Sequence, residues 1–262
     1  MVGFGRIVSV GGLGLAVLSA QSAAAEPTHV VVRALAKDAK FIGDSMGGVD
    51  ITLTDAASGG ALAHGITAGA TGDTKRIVVE PRVRGQALST PEAARFDALV
   101  DIDRPTLVRA EARGPLGKPG AQITVTSTMW LLPGKAVEGD GWVLEFPGLV
   151  VEPVWTSAAP DSLRIGAKVT LMCGCPIEPG GHWDAAQYEV KAALFQGERA
   201  MGQATLTPDG SPSHFAGALG APKLGVYRLL VTAHNAATGN TGVAEIPLAY
   251  PPPTSLGGQV KP

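Results

Sequence analysis

Between its turns this chain repeats with period two, and nowhere does it sustain the 3.6-residue period of a long helix. Val49, Ile51 and Leu53 alternate with Asp50, Thr52 and Thr54, residues 55–60 (DAASGG) supply a turn, and residues 61–67 return as a hairpin partner. A parallel sheet of βαβ units would need a crossover helix of roughly a dozen residues between strands. Without such helices the pattern predicts antiparallel sheets. The 35 glycines and 20 prolines supply the turns. Further strands are expected over 29–36, 75–80, 95–102, 106–112, 121–132 and 141–146, with Pro105, Pro115, Pro119, Pro133 and Pro147 near their ends, where a missing N–H harms a ladder least. Helix is expected only as one or two turns over 90–96, where threonine precedes proline and glutamate, and as a single turn over 183–187.

Residues 152–161 (EPVWTSAAPD) lose the alternation and carry two prolines, which marks a boundary. Strand patterns resume over 163–172, 188–195, 200–206, 214–219 and 225–235, and the TGNTG turn at 238–242 leads into 243–250. The expected organisation is therefore a first module over 26–157, a second over 158–250, and a Pro/Gly-rich tail over 251–262. Each module has the roughly 100 residues that an independent core needs.

Residues 1–25 read as a secretory signal peptide, with Arg6 at the start, an apolar run over 7–20 and small residues at Ala23, Ala24 and Ala25. That run is shorter than the roughly 20 residues needed to span a bilayer. The expected location is periplasmic or secreted, with membrane contact only through the signal peptide before its cleavage. A net charge of -2 and only 17% charged residues leave no electrostatic footprint for nucleic acid.

Residues 225–248 (GVYRLLVTAHNAATGNTGVAEIPL) resemble the last hairpin of an immunoglobulin-like sandwich, which places Tyr227 at the position of a corner tyrosine. Residues 49–74 resemble the carboxypeptidase-regulatory-like or transthyretin-like modules. The fold class expected is all-β, with two antiparallel immunoglobulin-like β-sandwich modules in tandem. Such families imply binding, spacing or assembly roles and bring no catalytic residues with them.

Gly43-Asp-Ser-Met-Gly47 matches the G-x-S-x-G string of a nucleophile elbow. That chemistry needs a strand before the serine and a helix after it, whereas a strand pattern follows here, so a glycine-rich loop is expected and no enzyme. His64, His214 and His234 are not singled out as a base by any spacing. Residues 72–74 and 101–103 lack the oxygen density of a calcium loop and read as solvated turns. Trp130, Trp142 and Trp155 are expected in the first module's core or at its contact with the second.

Both cysteines lie one glycine apart, in residues 170–184 (TLMCGCPIEPGGHWD). On a straight strand their Cα atoms would stand about 6.6 Å apart, at the long edge for a disulfide and awkward for one metal ion. Something must bend the chain, and Gly174 and Pro176 provide the means. Three fates compete. A Cys173–Cys175 disulfide is the default for paired thiols in an exported protein. A soft-metal site, with copper as the ion, would use Cys173 and Cys175 with His182 and Met172. Thiol-disulfide exchange would be expected to use a C-x-x-C form that is absent.

The expectation is an exported periplasmic binding or accessory protein that handles copper through this loop. The alternative is a structural module that docks onto another envelope protein, with the cysteines locking a turn.

Overall fold

The structure, a computed structural model, describes residues 1, 3, 26–159 and 162–250. The rest of the expected signal peptide, the tail over 251–262, and Pro160 and Asp161 of the expected boundary lie outside the described residues. The chain is all-β, and its strands fall into two sets.

In the first set, β1 (Glu26–Ala36) is flanked by β4 (Phe96–Ile102) and β7 (Val137–Phe146). The facing sheet has the order β3 (Ala61–Ile66), β2 (Asp50–Asp55), β5 (Thr106–Gly114), β6 (Ile123–Leu131). Alternation translates directly into burial: in β5 every second residue, from Thr106 through Val108, Ala110 and Ala112 to Gly114, is buried. The hairpin expected over 49–67 forms with Asp50 opposite Ile66.

One pairing departs from the antiparallel expectation: β1 runs parallel to β7, with Val32 opposite Trp142 and Ala36 opposite Phe146. The five strands between them supply the long connection that a parallel pair requires, so no crossover helix is needed. One local expectation also fails. The strand expected over 75–80 is a single wide helical turn, Lys75–Val79, because the Asp73 carboxylate accepts the Arg76 N–H at 2.7 Å and Ile77 is buried beside Phe41. Of the one or two turns expected over 90–96, one forms, closed by Ala93 N–H donating to the Thr90 carbonyl at 3.0 Å, before Phe96 opens β4.

The second set is one seven-stranded sheet, in the order β14 (Asn240–Tyr250), β13 (Gly225–Asn235), β10 (Tyr188–Gln196), β11 (Arg199–Pro208), β12 (His214–Gly220), β9 (Ser162–Leu171), β8 (Leu149–Ala159). Most of β11 pairs with β10, and only its last two residues, Thr207 and Pro208, pair with β12. The sheet therefore turns a corner and folds on itself until its two edges meet, with Gly242 of β14 against the Leu149 carbonyl of β8. At the start of β13 the Tyr227 hydroxyl donates to the Lys223 carbonyl at 2.9 Å.

The boundary expected at 157/158 falls inside β8. Sheet pairing changes over at Pro147 and Gly148 instead, since Leu149 to Ala159 pair with β9. Pro153, one of the two prolines that suggested a linker, is tolerated because β8 is an edge strand, paired with β9.

The two sets do not bury separate cores. Val30, Ile51 and Leu144 of the first belong to the same hydrophobic cluster as Leu163, Val190 and Leu229 of the second. A satellite cluster of Leu35, Phe41, Ile77, Ala93 and Ala94 lies under the irregular segment between β3 and β4. Of the tryptophans, Trp142 is buried and Trp155 partly so, but Trp130 is 63% exposed, because position 130 falls on the outer face of β6.

Candidate functional site

The cysteine loop lies in the seam between the two strand sets. After β9 the chain reverses over Met172, Cys173 and Gly174: Gly174 N–H donates to the Leu171 carbonyl at 2.8 Å, and Leu171 N–H donates to the Cys175 carbonyl at 3.3 Å. Gly174 takes φ 76°, the left-handed third position of a three-residue hairpin loop. The bend that the sequence required is therefore at Gly174, and it brings the Cys173 and Cys175 Cα atoms to 5.3 Å.

Cys173 and Cys175 are joined in a disulfide with S–S 2.10 Å, and both are buried in the shared core. The returning arm then docks on the second strand set: Ile177 N–H donates to the Ser213 hydroxyl at 3.0 Å, and Ser213 N–H to the Ile177 carbonyl at 2.7 Å. A short turn follows, in which the Asp184 carboxylate accepts the Gly180 and Ala186 N–H groups at 3.0 and 3.1 Å. Those donors hold its carboxyl below the usual carboxylate range. The expected single turn over 183–187 appears as Ala185–Gln187.

Several contacts carry this loop across the seam. Trp183 is buried and its Nε1 donates to the Asp38 carbonyl at 2.8 Å. Met46 packs so closely on Gly174 that a Cβ there would lie 2.8 Å from its sulfur. Beside them, Asn240 of β14 donates to the Lys37 carbonyl at 3.1 Å and accepts from Gly148 at 2.9 Å. The two stretches that stood out in the sequence, GDSMG and CGC, thus meet face to face.

Around Ser45 the G-x-S-x-G string forms a one-turn 3-10 helix, Asp44–Met46, with Gly47 and Gly48 at φ 78° and 70°. Thr67 accepts into this loop through its hydroxyl, from Val49 N–H at 2.9 Å, and β2 follows. The strand-turn-helix context of a nucleophile elbow is not built.

The set proposed for copper is not gathered. The two sulfurs are bonded to each other, and a metal site needs thiolates. Met172 is buried beside Gly148, while His182 is exposed at the tip of the loop with its ring edge-on to Trp183. Among the described residues no three His, Cys, Asp or Glu side chains come together in a way that could hold a metal ion.

A surface groove of about 760 Å³ opens next to the seam, on the outer face of β8, β9 and β12. Strand register defines its rows: Glu152, Lys168 and His214 lie abreast, Val154, Gly166 and Ala216 form the next row, and Thr156, Arg164 and Ala218 the third. Lys118, from the connection between β5 and β6, reaches across the seam to Glu152 at 2.8 Å. A smaller cavity of about 190 Å³ shares Lys118, Glu152 and Lys168 and extends the groove to Ser45, Met46 and Gly174. The sequence reading missed this groove, since its residues come from distant segments. The signal available was the glycine at 166 within an otherwise regular strand pattern.

No protein-family model matches the chain, and no curated protein sequence matches it.

Proposed function

We propose that this chain is an exported, non-catalytic accessory protein that docks on another protein of the cell envelope. Its two β units, the second immunoglobulin-like, form one rigid body. The observation that carries the reading is the Cys173–Cys175 disulfide, closed within a turn that Met46 and Trp183 clamp into the seam. A disulfide of this kind persists in an oxidising compartment, in keeping with the leader-like residues 1–25. The Tyr227 corner bond and the strand order of the second unit support the immunoglobulin-like assignment. The seam fixes the relative position of the two units, which suits a spacer or docking element.

The test combines location, mass and partner. The protein should fractionate with exported proteins, weigh two hydrogens less than its reduced form, resist alkylation, and crosslink in the envelope to a defined partner. Cys173→Ser/Cys175→Ser should keep that partner. Cytoplasmic location with two free thiols, or Cu(I) binding under anaerobic conditions that the double substitution abolishes, would replace this reading with another.

A further inference from the structure

We infer that the groove on β8, β9 and β12 is a binding site for an extended acidic peptide segment, with carboxylates four residues apart and an apolar residue midway between them. This rests on the docking role proposed above and names its surface. The first observation is Gly166. It sits in the middle of β9 with ordinary extended backbone, and glycine there weakens a strand unless something must approach closely. Of the other glycines in the same sheet, Gly202 and Gly220 are under no steric demand either, whereas Gly217 and Gly242 have a packing reason. A Cβ at Gly217 would lie 2.8 Å from the Thr205 carbonyl, and one at Gly242 would strike the Leu149 carbonyl. At Gly166 the nearest atom is a methyl of Val154 at 3.0 Å, a side chain that is 62% exposed and has room to turn aside. No backbone atom forces glycine at 166, and the missing side chain there leaves the trough beside Val154 open.

The second observation is charge. Arg164 and Lys168 are exposed on the same face of β9, two residues either side of Gly166 and so about 13 Å apart at ~3.3 Å of rise per residue. Among the described residues no ion pair engages either of them. Glu152, which stands opposite Lys168, gives its carboxylate to Lys118. Two cations outside any ion pair thus frame a trough floored by Gly166 and Ala216 and walled by Val154, with one carboxylate, Asp209, also on the groove's lining outside any ion pair among the described residues. A peptide strand laid along β9 has the same rise, so side chains at its positions i, i+2 and i+4 would meet Lys168, Gly166 and Arg164 in register, whichever way it runs.

The probe is a fluorescein-labelled heptapeptide with glutamates four residues apart and leucine between them, titrated by anisotropy against the mature protein. Saturable binding at or below about 1 mM is expected, and it should weaken with added salt. Replacing the glutamates by glutamine, or moving them to two residues apart, should weaken it. Arg164→Ala/Lys168→Ala should lose about tenfold, since it removes two exposed ion pairs, each of modest strength. Gly166→Leu should fill the trough and lose at least as much. Should that variant misfold by circular dichroism, the double charge variant decides alone. Absence of saturable binding, equal affinity for the glutamine peptide, indifference to the double variant, or tighter binding of an oligogalacturonate would each overturn the peptide site. These outcomes leave the docking reading untouched if crosslinking still finds an envelope partner. Conversely, peptide binding by a protein that is not exported would sink that reading and spare the site.

Discussion

The two β units reach a closed core by different routes. In the second, consecutive strands do most of the pairing, and β13 and β14 match without interruption from Gly225 opposite Tyr250 to Asn235 opposite Asn240. In the first, a parallel pair joins the two ends of the unit, and the connection from β3 to β4 runs through an irregular segment with its own small core. That segment is held by a buried guanidinium. Arg33 of β1 donates to the Ala93 and Ala94 carbonyls and stacks over Phe41 at 5.5 Å, while its Nε has no hydrogen-bond partner. Burial, with Arg95 nearby, lowers the Arg33 pKa. The contrast is between a unit stabilised by ladder continuity and one that depends on a few long-range polar staples, and it is the seam that makes them one body.

The largest effect is expected from cutting that seam. Trp183→Ala removes a buried aromatic together with its bond to Asp38, at a cost of about 3–5 kcal/mol. Because the shared cluster is breached there, urea unfolding should pass from one transition to two, with the first unit melting earlier. A single transition that merely shifts would show that the remaining core contacts couple the units without the clamp. Next comes Arg33→Ala, which leaves two carbonyls without their charged donor and is expected to cost about 3 kcal/mol. Its signature is local: amide exchange should rise over 89–97 and stay unchanged over 188–250. Exchange rising equally in both regions would mean that the units have no independent stability to compare.

How much of this was legible beforehand follows the same division. Hairpins were readable wherever strand, turn and return strand are adjacent in sequence, as in 49–67 and 225–250, because period two and turn residues are local signals. The bend at Gly174 was readable for the same reason, since a C-G-C-P string has few ways to place its sulfurs. What stayed hidden depends on distant partners. Residues 75–80 look like a strand by composition, yet Asp73 and the satellite core turn them into a helical turn. Residues 152–161 look like a linker because of their two prolines, yet 152–159 belong to β8, where an edge position makes Pro153 harmless. Met172, Cys173, Cys175 and His182 are close in sequence, but the reversal at Met172 to Gly174 buries the sulfurs in the seam and leaves His182 outside. The groove was hidden altogether, since β8, β9 and β12 are brought abreast only by the sheet.

Tyr227→Phe probes the second unit with a smaller perturbation. It deletes the bond to Lys223 and leaves the ring in place, for about 1 kcal/mol. Ladder continuity predicts that this loss lowers the midpoint of urea unfolding without changing its slope. A loss of several kcal/mol would place the second unit, like the first, among folds that hang on single staples.

The smallest effect, and the finest test of the contrast, is the acid dependence of the first unit. Asp140 is partly buried, which by itself raises its pKa. The Leu88 and Ser89 N–H groups, each at 2.8 Å, with the Ser89 hydroxyl and the Arg33 guanidinium, outweigh burial and hold its carboxyl below the ordinary value of 3.8. A group whose pKa is lower folded than unfolded stabilises the fold above its unfolded value, and that stabilisation is lost as pH falls through its folded value. The irregular segment should therefore loosen below about pH 4, where unfolded aspartates take up protons. In Asp140→Asn this part of the acid sensitivity should vanish, so wild type and variant, which differ in unfolding midpoint at pH 6, should converge as the pH is lowered towards 2.5. Parallel curves at all pH values would assign the difference to lost hydrogen-bond geometry and remove the charge of Asp140 from the staples that hold the first unit.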